Sequence, residues 1–268
     1  MSDLLDPGAR SKHGAIVQTD VTGQPAGEPQ TLLQEARRDF VFSEVWSRPG
    51  LDRRARFLIA MAGAACTNGP AHLLDAYVRG ALNSGELSLA ELREAALHLS
   101  IYAGWSRGTE WDEAITRVQD ELGLAPVALD PVRGEPWDAQ ERMELGAAEF
   151  TKVMTFGGPP PGVGIPYLQD GILNFVFGEM WCRRGLDERS RRWITLVGVA
   201  ESTTTIPVQS HFYAAMKSGN CTPAEMQEFV LQYAVHAGWP KGSEVQAAVL
   251  AQIGNFEKGL NWDGKPLA

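Results

Sequence analysis

The side chains able to titrate or attack near neutral pH are few: five histidines and three cysteines. Cys66, Cys182 and Cys221 are odd in number and share no CxxC spacing, which points to free thiols in a reducing compartment rather than a redox pair or a metal site. They read as small buried hydrophobes. His211, in SHFYAAMKSG, has two readings. An imidazole can move a proton at carbon or oxygen, or it can close a core network beside Tyr213 or Tyr233. His236 is read either as facing the same pocket or as core. His72 and His98 read as structural or solvated, and His13 lies in the N-terminal segment. Glu201 can polarise His211 if their helices pack antiparallel. Arg56 and Arg191 read as forks for a substrate carboxylate, or as partners of Glu44 and Glu179 in buried ion pairs. Trp181, Trp193, Tyr213 and Trp239 can wall an aromatic ligand, though core packing explains most of them equally well.

These residues sit in a duplicated framework. Residues 44–63 align without gaps to 179–198, with ten of twenty positions identical, and 77–110 align to 211–244, with twelve of thirty-four identical. Gly, Trp and Arg recur in register, so the chain reads as two copies of one module. The copies differ where chemistry is expected: Tyr77 stands opposite His211, Tyr102 opposite His236, and Cys66 opposite Glu201.

Each copy reads as helices. Ser88-Leu89-Ala90-Glu91 and Thr222-Pro223-Ala224-Glu225 are capping boxes. Gly85 and Gly219 fit the ends of the preceding helices, and Gly104 and Gly238 close the capped ones. Apolar residues at Met226, Phe229, Val230, Tyr233 and Ala234 follow one helix face. The expectation is an all-α chain: an extended N-terminal arm (1–30), a first, degenerate module (31–123), a Pro/Gly-rich connector with a short helix (124–166) and a second, active module (167–268). The connector includes two segments read as non-helical, Leu124 to Trp137 and Gly157 to Pro166.

Composition narrows the partners. A net charge of −9 and a pI near 5.1 argue against nucleic acid. No apolar run approaches the roughly 20 residues of a membrane span, and the first residues lack the pattern of a secretory signal, so a cytoplasmic protein is expected.

The segments WSRPGLDRRAR (46–56), WCRRGLDERSRR (181–192) and SHFYAAMKSGNCTPAEMQEFVLQYAVHAGWPK (210–241) resemble the carboxymuconolactone decarboxylase family. The resemblance implies an all-α, cofactor-free module that assembles with trimeric symmetry, hence a homotrimer for a two-module chain. It also implies that His211 is the general acid or base, with Glu201 beside it. Arg191, His236, Tyr213, Trp181 and Trp239 are then the candidates for contact with an anionic, cyclic substrate of the kind met in aromatic-compound degradation. The family's thiol-dependent peroxidase branch needs a CxxC, which neither Thr203–His211 nor Cys66–Tyr77 supplies, so a carboxy-lyase is expected. Where the family often carries an acid a turn before the histidine, this chain has Pro207. Two other readings stay open: an isomerase or dehydratase on the same scaffold, or a non-catalytic ligand-binding paralogue.

Overall fold

The computed structural model describes residues 6–67, 69–135, 138–157 and 164–267. Within them every regular element is helical, and the one bridge, Leu260 with Pro266, forms no strand. Helix α1 (Pro7–Thr22) and the short α2 (Leu32–Ala36) lead into a π-helical segment, π1 (Arg37–Val45), followed by α3 (Arg53–Cys66), α4 (Ala71–Asn83), α5 (Leu89–Ala103) and α6 (Trp105–Glu121). Helix α7 (Ala139–Met154) precedes the second copy: π2 (Tyr167–Trp181), α8 (Glu188–Ser202), α9 (Thr205–Lys217), α10 (Pro223–Ala237) and α11 (Trp239–Glu257). No helix among the described residues is long and apolar enough to cross a membrane.

Local chemistry explains the boundaries. Both expected capping boxes form, with Ser88 accepting from the Glu91 amide and Thr222 from the Glu225 amide. Gly104 and Gly238 end their helices at φ of 91° and 90°, a region that costs an L side chain strain. Residues 124–135 carry no regular structure, as expected, whereas most of the Gly157 to Pro166 stretch lies outside the described residues.

The N-terminal segment corrects the sequence reading. It is not an extended arm waiting for a partner subunit. Asp6 caps α1 through the amides of Gly8 and Ala9, Pro7 takes the first helical position, and the helix packs on π1 and α4. Helix α7 covers π2 and touches α9 in the same way. Gly14 and Gly146 allow both approaches: a Cβ would lie 2.3 Å from the Arg38 carbonyl oxygen in one case and 1.9 Å from that of Leu173 in the other. The structural duplication therefore includes a leading helix that the sequence comparison does not reveal.

Helices α3 and α8 are buried around most of their circumference and lie side by side at the centre. Of the two central helices, the capped helix of each module packs on that of the other module more than on its own, α10 on α3 and α5 on α8. Reciprocal ion pairs mark this exchange. Glu228 accepts from Arg48 at 2.5 Å and meets Arg56 at 3.3 Å, while Glu94 pairs with Arg183 and meets Arg191 at 3.4 Å. The expected pairs with Glu44 and Glu179 do not form. Glu44 binds Arg10, and Glu179 binds Arg133 and Arg142. Arg56 and Arg191 are turned instead toward the opposite module, because the helix that supplies their acid is the one packed against them.

Glu94→Gln leaves Arg191 and Arg183 without an anion in a site where the carboxylate is 5% exposed. It is expected to lower unfolding free energy by about 3 kcal/mol, whereas Lys152→Gln, which removes a lysine 61% exposed, changes it by less than about 0.5 kcal/mol. Urea unfolding of the two variants against wild type measures the contrast.

Candidate active site

The site forms where α5 of the first module meets π2, α8 and α9 of the second. Asp187 caps α8 by accepting from the Ser190 amide at 2.8 Å, and the helix then carries Arg191, Arg192, Thr195 and Gly198 into the interior. Gly198 permits the module contact, since a Cβ there would stand 2.5 Å from Cβ of Tyr102. Thr203 ends α8 at φ 55°, an unusual conformation for a β-branched residue, and turns the chain sharply into α9. Pro207 falls in the first turn of α9, where its missing N–H leaves no hydrogen bond unmade.

One turn on, His211 is buried with its ring 5.3 Å from that of Tyr102 and nearly perpendicular to it. Its Nδ1 has no hydrogen-bond partner among the described residues. Burial, reinforced by the Arg192 charge, pushes its pKa down to about 3, so the imidazole is neutral at physiological pH. Burial also pushes the Tyr102 phenol up to about 12, keeping it a hydroxyl. That hydroxyl accepts from Trp181 Nε1 at 2.8 Å. Behind Trp181, His98 meets Thr195 Oγ1 at 2.9 Å through Nε2 and Arg191 at 3.4 Å through Nδ1. Arginine only donates, so Nδ1 accepts and Nε2–H donates to the threonine, which makes His98 a neutral structural histidine.

His211 and Tyr102 face a cavity of about 600 Å³. Its walls are mostly apolar: Phe150, Met154 and Phe156 from α7 and the residues after it, Ile172, Val176 and Phe177 from π2, Val199 from α8, and Trp262 from the C-terminal segment. Exposed Tyr167 and Ile206 mark its mouth. The π2 contributions fall four or five residues apart, as the wider i→i+5 winding dictates.

The other expected site residues are distributed differently. Trp181 reaches the cavity only through Tyr102. Arg191 is fully buried in the pair with Glu94 and is no ligand fork. Glu201 does not contact His211; it accepts from Tyr233 at 2.7 Å and from Lys241 at 2.7 Å, and lines a smaller cavity with Cys66 and Arg107 that meets the His211 cavity at Tyr102 and Ser202. Tyr213 is buried away from the cavity, and Trp193 stacks on Phe229. Trp239 is exposed and leans on Phe40 of the first module.

His236 does not share the His211 pocket. It borders a second cavity of about 300 Å³, its ring 5.5 Å from Tyr77 and its pKa lowered to about 4 by burial and by the Arg37 charge. Each of these histidines meets a tyrosine of the other module, with the roles reversed: His211 with Tyr102, which both line the larger cavity, and His236 with Tyr77, of which only His236 lines the smaller one. This is why neither copy alone shows both residues.

Arg192 escaped the sequence reading. It is 0% exposed, lies over the Trp181 ring at 5.0 Å and donates to the Val153 carbonyl, while its Nε and Nη1 have no hydrogen-bond partner among the described residues. Among the described residues no carboxylate forms an ion pair with it, although a buried cation ordinarily demands one. The available signal was the repeat itself, which sets Arg192 opposite Phe57. Among the described residues no group of His, Cys, Asp or Glu is placed to hold a metal.

The fold is an all-helical tandem module with its site shared between the copies, and comparison with known proteins identifies the class. The model of the carboxymuconolactone decarboxylase family matches residues 31–114 and 166–252, and the chain belongs to that family. It is 33% identical over 125 residues to the 4-carboxymuconolactone decarboxylase of Acinetobacter baylyi, covering 44% of this chain and 92% of that one. It is 39% identical over 71 residues to the nitrosuccinic acid decarboxylase npaB of Metarhizium robertsii, covering 26% of this chain and 48% of that one.

An imidazole with a folded pKa near 3 and an unfolded value near 6.5 has a definite linkage sign. Between these values the unfolded chain binds the extra proton, so His211 makes stability fall as pH drops through that window, at up to about 1.4 kcal/mol per pH unit. The stability of wild type relative to His211→Gln, measured by urea unfolding from pH 7 to pH 4, is expected to decline steadily with acid.

Proposed function

We propose that the chain is a cofactor-independent enzyme of the decarboxylase type, acting on a cyclic carboxylate or lactone in the His211 cavity. The observation that carries this is a neutral, buried imidazole with an unpartnered nitrogen, facing a largely apolar cavity in a chain whose named relatives are decarboxylases.

The chemistry follows from the proton affinity of His211. Alone, the imidazole is held neutral. A substrate carboxylate seated beside it supplies the negative charge that raises its pKa, so a proton from solvent arrives with the substrate. The same carboxylate has lost its water against apolar walls, which favours breaking the bond to carbon: CO2 leaves and the electron pair spreads into the adjoining conjugated carbonyl. As the localised charge disappears, the proton affinity of His211 falls again, and the proton passes to carbon. The Tyr102 hydroxyl and the Arg192 charge stabilise the transient enolate-like anion. Glu201 has no place in this sequence, since its oxygens are engaged by Tyr233 and Lys241.

We also take the chain to assemble as a homotrimer. Trp105 and Trp239 are 63% and 56% exposed, as large apolar surfaces awaiting cover would be. Light scattering is expected to give about three times the chain mass of 29.2 kDa, and a monomer would remove this part of the proposal.

Carbon dioxide release from a panel of carboxylated lactones and aromatic-degradation intermediates tests the reaction. Release by wild type that drops by roughly 10²- to 10⁴-fold in folded His211→Ala is the expected result. Full activity in that variant would sink the role of His211. Substrate consumed without CO2 would assign an isomerase or dehydratase reaction to the same residues.

A further inference from the structure

The electrical content of the His211 cavity restricts the acid it takes, an inference that rests on the proton-transfer reading above. Among the described residues, none of the side chains lining the cavity is Lys, Arg, Asp or Glu. Of the hydroxyls on its wall, Ser210 donates to the Ile206 carbonyl at 2.8 Å and Ser202 to that of Val199 at 2.7 Å, so both protons are already engaged. The Thr204 hydroxyl is taken up by Ser202 at 2.7 Å and that of Tyr167 lies at the exposed mouth, so what remains for an anion inside the cavity is neutral His211 and the Tyr102 hydroxyl. One buried positive charge without a carboxylate acts on both of them, that of Arg192. An ion taken out of water needs a compensating charge, and here there is one.

The rest of the space asks for something else. Phe150, Phe156, Phe177 and Trp262 present ring surface, and about 600 Å³ lies within the range of drug-sized ligands. We propose that the substrate is a monocarboxylate on a large aromatic or polycyclic body, with its carboxylate at His211 and Tyr102 and its rings among these side chains, and that polycarboxylates are excluded. The wall residue that enforces the exclusion is Ile172. Its counterpart in the first module is Arg37, whose charge acts on the smaller His236 cavity.

The experiment is equilibrium dialysis of the full-length chain against naphthoate and against trimesate, an aromatic ring carrying three carboxylates. Wild type is expected to hold naphthoate at least about tenfold more tightly than trimesate. Ile172→Arg, which copies the first-module residue into the wall, is expected to weaken naphthoate and tighten trimesate, while Ile172→Leu keeps the wild-type preference and controls for folding. Equal or tighter binding of trimesate by wild type, no binding of naphthoate, or an unchanged preference in Ile172→Arg would each overturn the proposal. Release of CO2 from a polycarboxylated lactone together with trimesate preference would leave the decarboxylase reading standing and remove this one. A naphthoate preference with no CO2 from any acid would do the reverse.

Discussion

A carboxylate from each module, held between two arginines of the other, is the constraint on which the rest of the molecule depends. Glu94 on α5 takes Arg183 and Arg191, and Glu228 on α10 takes Arg48 and Arg56. Buried pairs of this kind add little net stability, because desolvation offsets most of the attraction. Their effect is on register: a slip of one helical turn would leave a guanidinium with 1% exposure facing apolar side chains. Once Glu94 fixes α5 on α8, Tyr102 at the end of the same helix can lie only against Gly198 and His211. The candidate site is a consequence of the module exchange, since its Tyr102 and His211 come from different modules.

The two-fold relation is kept in the scaffold and broken in the electrostatics. Both cavities are bordered by a neutral histidine held down by burial and set edge to face on a tyrosine of the other module, at 5.3 and 5.5 Å. They differ in where the nearby cation stands. In one it is Arg192, deep on the central helix behind the pair; in the other it is half-buried Arg37 on π1, and the positions are filled reciprocally by Phe57 and Ile172. The exchange of a cation for an apolar side chain at two equivalent positions accompanies one larger apolar cavity, lined by Ile172 with Arg192 behind it, and one smaller cavity beside His236.

Much of the fold was legible because its signals are local. Ser88 and Thr222 announce their helices through residues three positions away, Gly104 and Gly238 announce the ends, and the duplication places both copies in register. Helix α1 was not legible, since its Gly, Pro and Asp content resembles a loop and its partner surface is remote in sequence. The ion pairs failed for a related reason. Glu94 and Glu228 are identical between the copies, yet Glu44 and Glu179 looked nearer to the arginines along the chain, and only the exchanged packing selects the true partners. His211 stood out as a candidate through the segment that resembles the family, since its type and setting fit a core histidine as well. Its companions did not, because Tyr102 comes from the other module, and the wall from π2 repeats every four or five residues where a search at 3.6 finds no face. Arg192 was visible as an arginine opposite Phe57, but an unpaired buried charge is a statement about surroundings that a sequence does not contain.

The central claim is that the fold suppresses the proton affinity of His211 and a bound carboxylate restores it. NMR titration of nitrogen-labelled imidazoles in wild type, free and with naphthoate, assigned by loss of signal in His211→Gln, measures this directly. The account predicts that His211 stays neutral in the free protein down to about pH 4, in keeping with its pKa of about 3, and takes up a proton near neutral pH when the acid binds. A free-protein titration near 6.5, or an imidazole that remains neutral with the carboxylate in place, would contradict it.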